Sequence, residues 1–414
     1  MKKITLFFIS MSISFLSAQE RNCGQEHAMQ QLQFNPLMLA KYQQQMQLSE
    51  QAYNSLLNSQ TLVNNVNTTL TIPVAIHYPD AGSANATLRN CMRLLAQDQV
   101  DILNEDYNAY NSDISTWDNT TSSFFPGVNK GIMNVEFEIA TLNHPAGSGL
   151  VNGEPAITFG YDFGGPGNSD WDSNWAGYLN IVVKNLSGGT LGYAYLASNP
   201  QDGAAVFIDN GAFGSGSGCT GYVPGAPYNL GRTLTHELGH YMNLNHIWGN
   251  GTCGNDFVAD TPQHNTSNGG CPPITHLSTC TGTPRELTMN YMDYTNDACM
   301  YMFTAGQATR MLAHISTIES NFNYNTLVNE SFDLRADRIV LYPNPNNGIF
   351  EITLSNNNIF ESVSIFDITG RLVFKQNNIN NDSLTVNLTS SNSGIYTVVV
   401  KSEIGNFNTK IVIK

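Results

Sequence analysis

His236-Glu237-Leu238-Gly239-His240-Tyr241-Met242-Asn243-Leu244-Asn245-His246 is the stretch on which the chain is organised. His236 and His240 stand four apart, so on a helix both imidazoles leave from one face and can share a metal. Glu237 follows one residue on, about 100° around that helix, where its carboxylate reaches a water on the metal. His246 lies six residues past His240, and a continuing helix would carry it to another face. The chain must therefore turn at Asn243 in a left-handed conformation, which glycine adopts most cheaply and asparagine next. Three imidazoles at ~2.0–2.1 Å and one open position describe a catalytic zinc, since a structural zinc is closed by a fourth protein ligand.

Length and composition bound the rest. With 414 residues the chain exceeds one ordinary core, so two or three units are expected. Charged residues make up 12% of it, the formal charge is −15, and no basic cluster interrupts the acidic balance. Nucleic acid and anionic membrane surfaces are excluded as partners on that ground. Met1-Lys2-Lys3, the apolar run from Ile4 to Phe15 and Leu16-Ser17-Ala18 read as a secretory signal peptide over residues 1–18. No apolar stretch is long enough for a transmembrane helix. Export makes disulfides permissible among the seven cysteines.

The zinc stretch resembles the long motif of the metzincin clan, H-E-x-x-H-x-x-G-x-x-H, with Asn243 where the clan usually has glycine. The approach Tyr228-Asn229-Leu230-Gly231-Arg232-Thr233 and the exit Ile247-Trp248-Gly249 make the chain similar to the pappalysin (cytophagalysin) family. That resemblance implies an α/β catalytic domain: a twisted, mixed five-stranded sheet with two long helices above an irregular, disulfide-bonded lower half. It also implies a secreted zinc endopeptidase that hydrolyses protein or peptide substrates and is made as a latent zymogen.

From the N-terminus, residues 19–60 read as a propeptide. Arg21-Asn22-Cys23-Gly24 is similar to the Arg-x-Cys-Gly of metzincin propeptides, a cysteine switch in which Cys23 takes the open zinc position. The catalytic domain follows over residues 61–322. Leu70 to His77 reads as a buried first strand, Thr87 to Asn108 as a helix carrying Leu88, Cys91, Leu94, Leu95, Val100 and Leu103. Val135 to Ala140, Leu179 to Val183 and Ala204 to Ile208 read as further strands. Gly189-Thr190-Leu191-Gly192-Tyr193-Ala194 falls where family members have the edge strand above the cleft, a surface for an extended peptide.

Past the zinc stretch, Cys253, Cys271, Cys280 and Cys299 allow three connectivities by spacing, and the resemblance selects Cys253–Cys280 with Cys271–Cys299. Cys91 and Cys219 have no assigned partner. Asn255-Asp256-Phe257-Val258-Ala259-Asp260-Thr261 resembles the family's calcium-binding segment, with Asp256, Val258, Asp260 and Thr261 as ligands. Met289-Asn290-Tyr291-Met292-Asp293-Tyr294 resembles the Met-turn region. By that register Met292, rather than Met289, forms the apolar floor under the imidazoles, and Tyr294 donates its phenol to an oxyanion. Phe303 to Gln307 leads into a closing helix reaching about Phe322. Basic-specific relatives carry an acidic residue in the pocket beside the zinc. Asp297 and Ala298 are both placed to face it, so no side-chain preference is carried over.

Residues 323–338 read as a linker. Residues 339–414 alternate in short strands with Asn- and Gly-rich turns and form a small all-β sandwich. Tyr342-Pro343-Asn344-Pro345, the Gly370-Arg371 turn and the final Lys-Ile-Val-Ile-Lys resemble the C-terminal sorting domain of the type IX secretion system. Export through that machinery to the extracellular space or outer-membrane surface follows from the resemblance, with one zinc, a structural calcium and a monomeric chain. A zinc-bearing surface adhesin without turnover is the alternative, and intact Glu237 and Tyr294 argue against it.

Overall fold

In the computed structural model the described residues are 21–58, 69–167, 169–323, 339–354, 359–367, 371–379, 381–402 and 405–414. The signal peptide, most of the 323–338 linker and Gly370 of the expected turn lie outside them. The chain divides into two units, residues 1–331 and 332–414.

The first unit opens with two helices that the sequence pattern did not reveal, α1 (Gln25–Leu32) and α2 (Pro36–Asn58). Neither has a clean apolar stripe. Only Gln25, Ala28 and Leu32 of α1 and Gln45, Ser49 and Tyr53 of α2 are buried, so polar contacts hold much of their inner faces. β1 (Leu70–Tyr78) is buried along almost its whole length, as befits a strand covered on both sides of a parallel sheet. α3 (Ala86–Tyr107) begins where the Asn85 side chain accepts from the Leu88 N–H at 2.9 Å. Its inner face is Met92, Leu95, Ala96, Gln99, Val100 and Leu103, while Leu94, expected inside, is exposed. The short α4 (Ile114–Asn119) then leads to β2 (Val135–Ile139), β3 (Ile157–Phe159), β4 (Leu179–Lys184), β5 (Gly192–Tyr193) and β6 (Ala205–Asp209).

These strands form one sheet in the order β2-β1-β4-β6-β5, with β3 pairing the end of β1. All pairs are parallel except β5 on β6, where Gly192 faces Ile208. β3 is the strand beyond the expected five: three residues running beside Ile76–Tyr78 after β2 has ended beside Val74. α5 (Arg232–Tyr241) is buried at every position and packs against β5, β6 and α3. A long irregular segment follows before α6 (Ala305–Ile318), whose start carries a reciprocal cap between Thr304 and Gln307. Three disulfides tie this unit: Cys91–Cys219, Cys253–Cys280 and Cys271–Cys299. Cys91 and Cys219, unassigned from sequence, join α3 to the segment between β6 and α5.

The second unit contains β7 (Ile339–Tyr342), β8 (Ile349–Leu354), β9 (Phe360–Phe366), β10 (Leu372–Asn377), β11 (Ser383–Asn387), β12 (Gly394–Ser402) and β13 (Gly405–Ile413). Sheets β10-β9-β12-β13 and β11-β8-β7 enclose Phe350, Ile352, Phe360, Val363, Ile365, Val398 and Val400. β10 and β11 escape a pattern search because their burial does not alternate strictly.

Candidate metal centre

α5 is fixed before it presents any imidazole. Arg232 in its first turn pairs with Asp106 and Asp113 and donates to the Tyr291 hydroxyl at 2.7 Å. The Thr235 hydroxyl donates to Asp106 at 2.6 Å, and the Tyr107 hydroxyl to the Thr235 carbonyl at 3.0 Å. These contacts lock the helix against α3. Beyond Tyr241 the chain turns at Asn243, which takes φ +72°, and the Leu244 N–H returns to the Gly239 carbonyl at 2.9 Å. His246 is thereby brought back to its two helical neighbours.

Ligand atoms of Cys23, His236, His240 and His246 all lie within 4.8 Å of one another, and all four residues are buried. This is the only such cluster of His, Cys, Asp and Glu among the described residues. Two imidazoles are oriented from behind. His236 Nδ1 lies 2.7 Å from the Tyr291 carbonyl, and His240 Nδ1 2.7 Å from the Leu244 carbonyl. Each Nδ1 therefore carries the proton, and each Nε2 points a lone pair into the cluster. His236 Nε2 is buried with no hydrogen-bond partner, and His240 Nε2 stands 3.1 Å from His246 Nε2. Three converging imidazole nitrogens, one of them buried with no partner, are what a shared cation satisfies, so the residues present fit a metal. Burial holds all three imidazoles neutral, with His240 lowered to about 4.

Glu237 is buried beside the cluster, and desolvation pushes its carboxyl up to about 8, against opposing effects of Cys23 and Arg21. Its Oε2 accepts from the Cys23 thiol at 3.2 Å. That thiol is raised well above its usual value, by burial first and by the Glu237 charge second. The Tyr294 hydroxyl lies 3.2 Å from His246 Nε2, and Trp248 stacks on the His246 ring with centroids 4.4 Å apart. Met292 is fully buried under α5, and its sulfur sits 2.5 Å from where a side chain on Gly239 would begin. Met289 instead receives the Tyr301 N–H on its carbonyl at 2.9 Å.

The N-terminal segment fills the cleft. The Leu191 N–H donates to the Asn22 carbonyl and the Gly24 N–H to the Gly192 carbonyl, both at 2.8 Å, so Cys23 runs parallel to the edge strand β5. Gly192 lets Glu237 lie against this strand, because a Cβ there would fall 2.8 Å from Glu237 Cγ. Arg21 enters a buried pocket beside the cluster. Its guanidinium pairs with Asp297 Oδ1 at 2.5 Å, donates to Thr233 Oγ1 at 3.1 Å and lies over the Tyr228 ring at 4.9 Å. Asp297 is held in turn by the Leu230 N–H at 2.8 Å and by the neighbouring Cys271–Cys299 bridge. Arg21 and Asp297 are 276 residues apart, so no spacing rule could link them; an arginine two residues before a candidate metal-binding thiol was the signal.

The expected calcium segment is otherwise engaged. Asp256 accepts from the Thr261 hydroxyl at 2.8 Å and the Val258 N–H at 3.1 Å, and Asp260 from Thr304 Oγ1 at 2.7 Å and the Gly306 N–H at 2.8 Å.

Residues 167–316 match a peptidase family model described as pregnancy-associated plasma protein-A, and residues 340–414 match the secretion system C-terminal sorting domain. Mature mirolysin of Tannerella forsythia, solved with a cleaved peptide, is 34% identical over 59% of this chain and 90% of its own, with a TM-score of 0.47. The chain belongs to the pappalysin family. A promirolysin variant of the same organism, solved as the precursor, is 29% identical over 72% of this chain and 95% of its own, with a TM-score of 0.53. An extracellular metalloprotease of Coccidioides posadasii is 42% identical over 32% of this chain and 48% of its own length. The chain thus spans about half the length of the curated relatives it matches. Membership implies a catalytic metal, and the histidine cluster is a group of residues that could hold one. The sorting tail and the extracellular relatives make this a secreted chain, and no helix among the described residues is long and apolar enough to cross a membrane.

Proposed function

We propose that the chain is a zinc endopeptidase, exported by the type IX machinery as a latent precursor, that cuts extracellular proteins beside arginine or lysine. The observation that carries the reading is the convergence of three buried imidazoles, two of them oriented from behind, with the Glu237 carboxyl group and the Cys23 thiol in one cluster. His236, His240 and His246 would hold the zinc, which would supply a Lewis acid for the scissile carbonyl and the attacking water. Glu237 takes the proton of that water and returns it to the leaving amine. Tyr294 donates its phenol to the oxyanion. Leu191 N–H and the Gly192 carbonyl, now used by Asn22 and Gly24, offer main-chain pairing to an extended substrate. In the precursor the Cys23 sulfur would join the three histidines in holding the metal.

The preference rests on Arg21, which occupies the pocket that a substrate side chain enters once the N-terminal segment is gone. A carboxylate with its second oxygen held by a backbone N–H suits a guanidinium, and an ammonium less well. The reading needs one metal. A calcium at Asp256, Val258, Asp260 and Thr261 would share carboxylates that also accept hydrogen bonds from Thr261 and Thr304.

A casein zymogram of the processed chain tests the activity. Clearing that o-phenanthroline abolishes, zinc restores and EGTA leaves intact is expected. Absence of clearing from a chain shown to hold one zinc would favour the adhesin instead.

A further inference from the structure

Arg21 and α1 leave Cys23 in opposite directions, and Cys23 itself sits level with Gly192 beside the three histidines. On one side Arg21 fills the Asp297 pocket. On the other the chain passes close over β5, where a Cβ on Gly24 would meet Thr190 Cγ2 and Tyr193 Cβ, both at 3.2 Å. It then enters α1, whose Ala28 and Leu32 are buried against Tyr195, with Met29 and Leu39 packed on the same patch as Trp171 and Tyr193. These three aromatic residues are firmly held. The Tyr193 and Tyr195 hydroxyls both donate to Asp170, at 3.0 and 2.8 Å. The Trp171 ring lies on Tyr195 with centroids 4.6 Å apart, and Tyr193 stacks on Phe207 at 4.7 Å. With their polar ends tied to one carboxylate, the two tyrosines offer carbon to whatever covers them. In the precursor the apolar side of α1 covers them, and Tyr195 is 6% exposed.

We propose that this aromatic shelf is a second substrate subsite, which takes a large apolar side chain across the scissile bond from the arginine. It rests on the endopeptidase reading above, with Asp297 as the partner of a basic side chain. Helix α1 shows the chemistry of the occupant, and β5 sets its place. A substrate that pairs with Leu191 and Gly192, as residues 22–24 do now, runs along the strand in extended form. Tyr193 and Tyr195 follow Gly192 in that direction, so the side chain meeting the shelf stands about two to four residues from the one opposite the metal. Leucine, isoleucine, methionine or phenylalanine there would bring the carbon surface that Leu32 and Met29 supply in the precursor. Aspartate or glutamate would lose its water against aromatic rings and beside the Asp170 carboxyl group.

The processed chain is given a peptide library with one arginine fixed and the positions across the scissile bond varied. Cleavage points and kcat/KM are read by mass spectrometry. Peptides with leucine, methionine or phenylalanine at the shelf positions should be cut at least ~10-fold faster than the same peptides with aspartate there. Tyr195→Ala should shrink that ratio at least ~5-fold, whereas Tyr195→Phe, which keeps the ring and loses the bond to Asp170, should hold it. The ratio is the readout because a merely loosened fold would slow every peptide alike. Should Tyr195→Ala fail to fold, Trp171→Ala is judged by the same ratio. A flat profile at the shelf positions with the arginine preference intact overturns the subsite and leaves the Asp297 reading standing. A folded Tyr195→Ala or Trp171→Ala chain that slows all peptides by one factor overturns it as well. If the library returns no basic preference, the Asp297 reading fails and takes the subsite with it.

Discussion

Helix α5 and the loop from Met242 to Phe303 each contribute to the metal site, but they are held by different means. The helix delivers His236, Glu237 and His240 through its own repeat, and ion pairs from Arg232 to Asp106 and Asp113 fix its start. The loop delivers His246, Met292, Tyr294 and Asp297 with almost no repeating structure. Two disulfides, the Ile247 N–H on the Met292 carbonyl at 3.2 Å and the Asn268–Asp293 hydrogen bonds at 2.8 and 2.9 Å hold it. The difference teaches where damage should show. On the helix, a change of functional group should alter chemistry alone; on the loop, loss of a cross-link should loosen the site without touching a reacting group.

The largest effect is expected from Glu237→Gln. Proteolysis should fall by ~10²–10⁴-fold with zinc content unchanged, measured as kcat/KM beside metal analysis. Parallel loss of metal and activity would mean that Glu237 supports the helix rather than the reaction. Tyr294→Phe asks the same of the loop. With the ring kept and only the donor removed, kcat should drop by ~10²–10³ and KM hold nearly constant. A KM effect alone would reduce Tyr294 to a wall of the cleft.

Asp297→Asn comes next. Removing the charge that now faces Arg21 should lower kcat/KM for peptides with arginine beside the scissile bond by roughly 10²-fold, leaving other peptides little changed. Uniform loss across a peptide library would show that Asp297 holds the loop and does not select. The same change should loosen latency, because Arg21 loses its partner. The smallest effect on chemistry belongs to Cys253→Ser with Cys280→Ser. Stability should fall by ~2–4 kcal/mol in denaturant unfolding, while kcat of the folded fraction stays close to that of the parent. A collapse of kcat would place the bridge inside the working geometry of the site.

The same division governs what could be read from the residues. His236, Glu237 and His240 follow from helical spacing, and the turn at Asn243 follows from the need to bring His246 back. β1 and α3 were legible to within a residue or two because burial on both faces, or on one, leaves a periodic trace. Met292 and Tyr294 carry no such trace, and only the family pattern points to them. The partnership of Arg21 with Asp297 left only half a trace, the arginine two residues before Cys23, because it joins two segments that meet only after folding. Helices α1 and α2 went unread for a related reason. The inner contacts of α2 past Tyr42 are largely polar, through Gln45, Ser49 and Glu50, and α1 buries only Ala28 and Leu32 among its apolar residues, so neither helix marks a face by hydrophobicity.

Seven cysteines are an awkward number for a chain that leaves a reducing compartment. Six are closed into pairs, and the seventh, Cys23, is buried beside Glu237. Thiol–disulfide exchange needs a sulfur that a partner can reach, and in this fold Cys23 is buried among His236, His240 and His246. The odd thiol is thus screened from exchange while the three bridges form around it. The residues that follow it hold an even set, with no thiol left to scramble them.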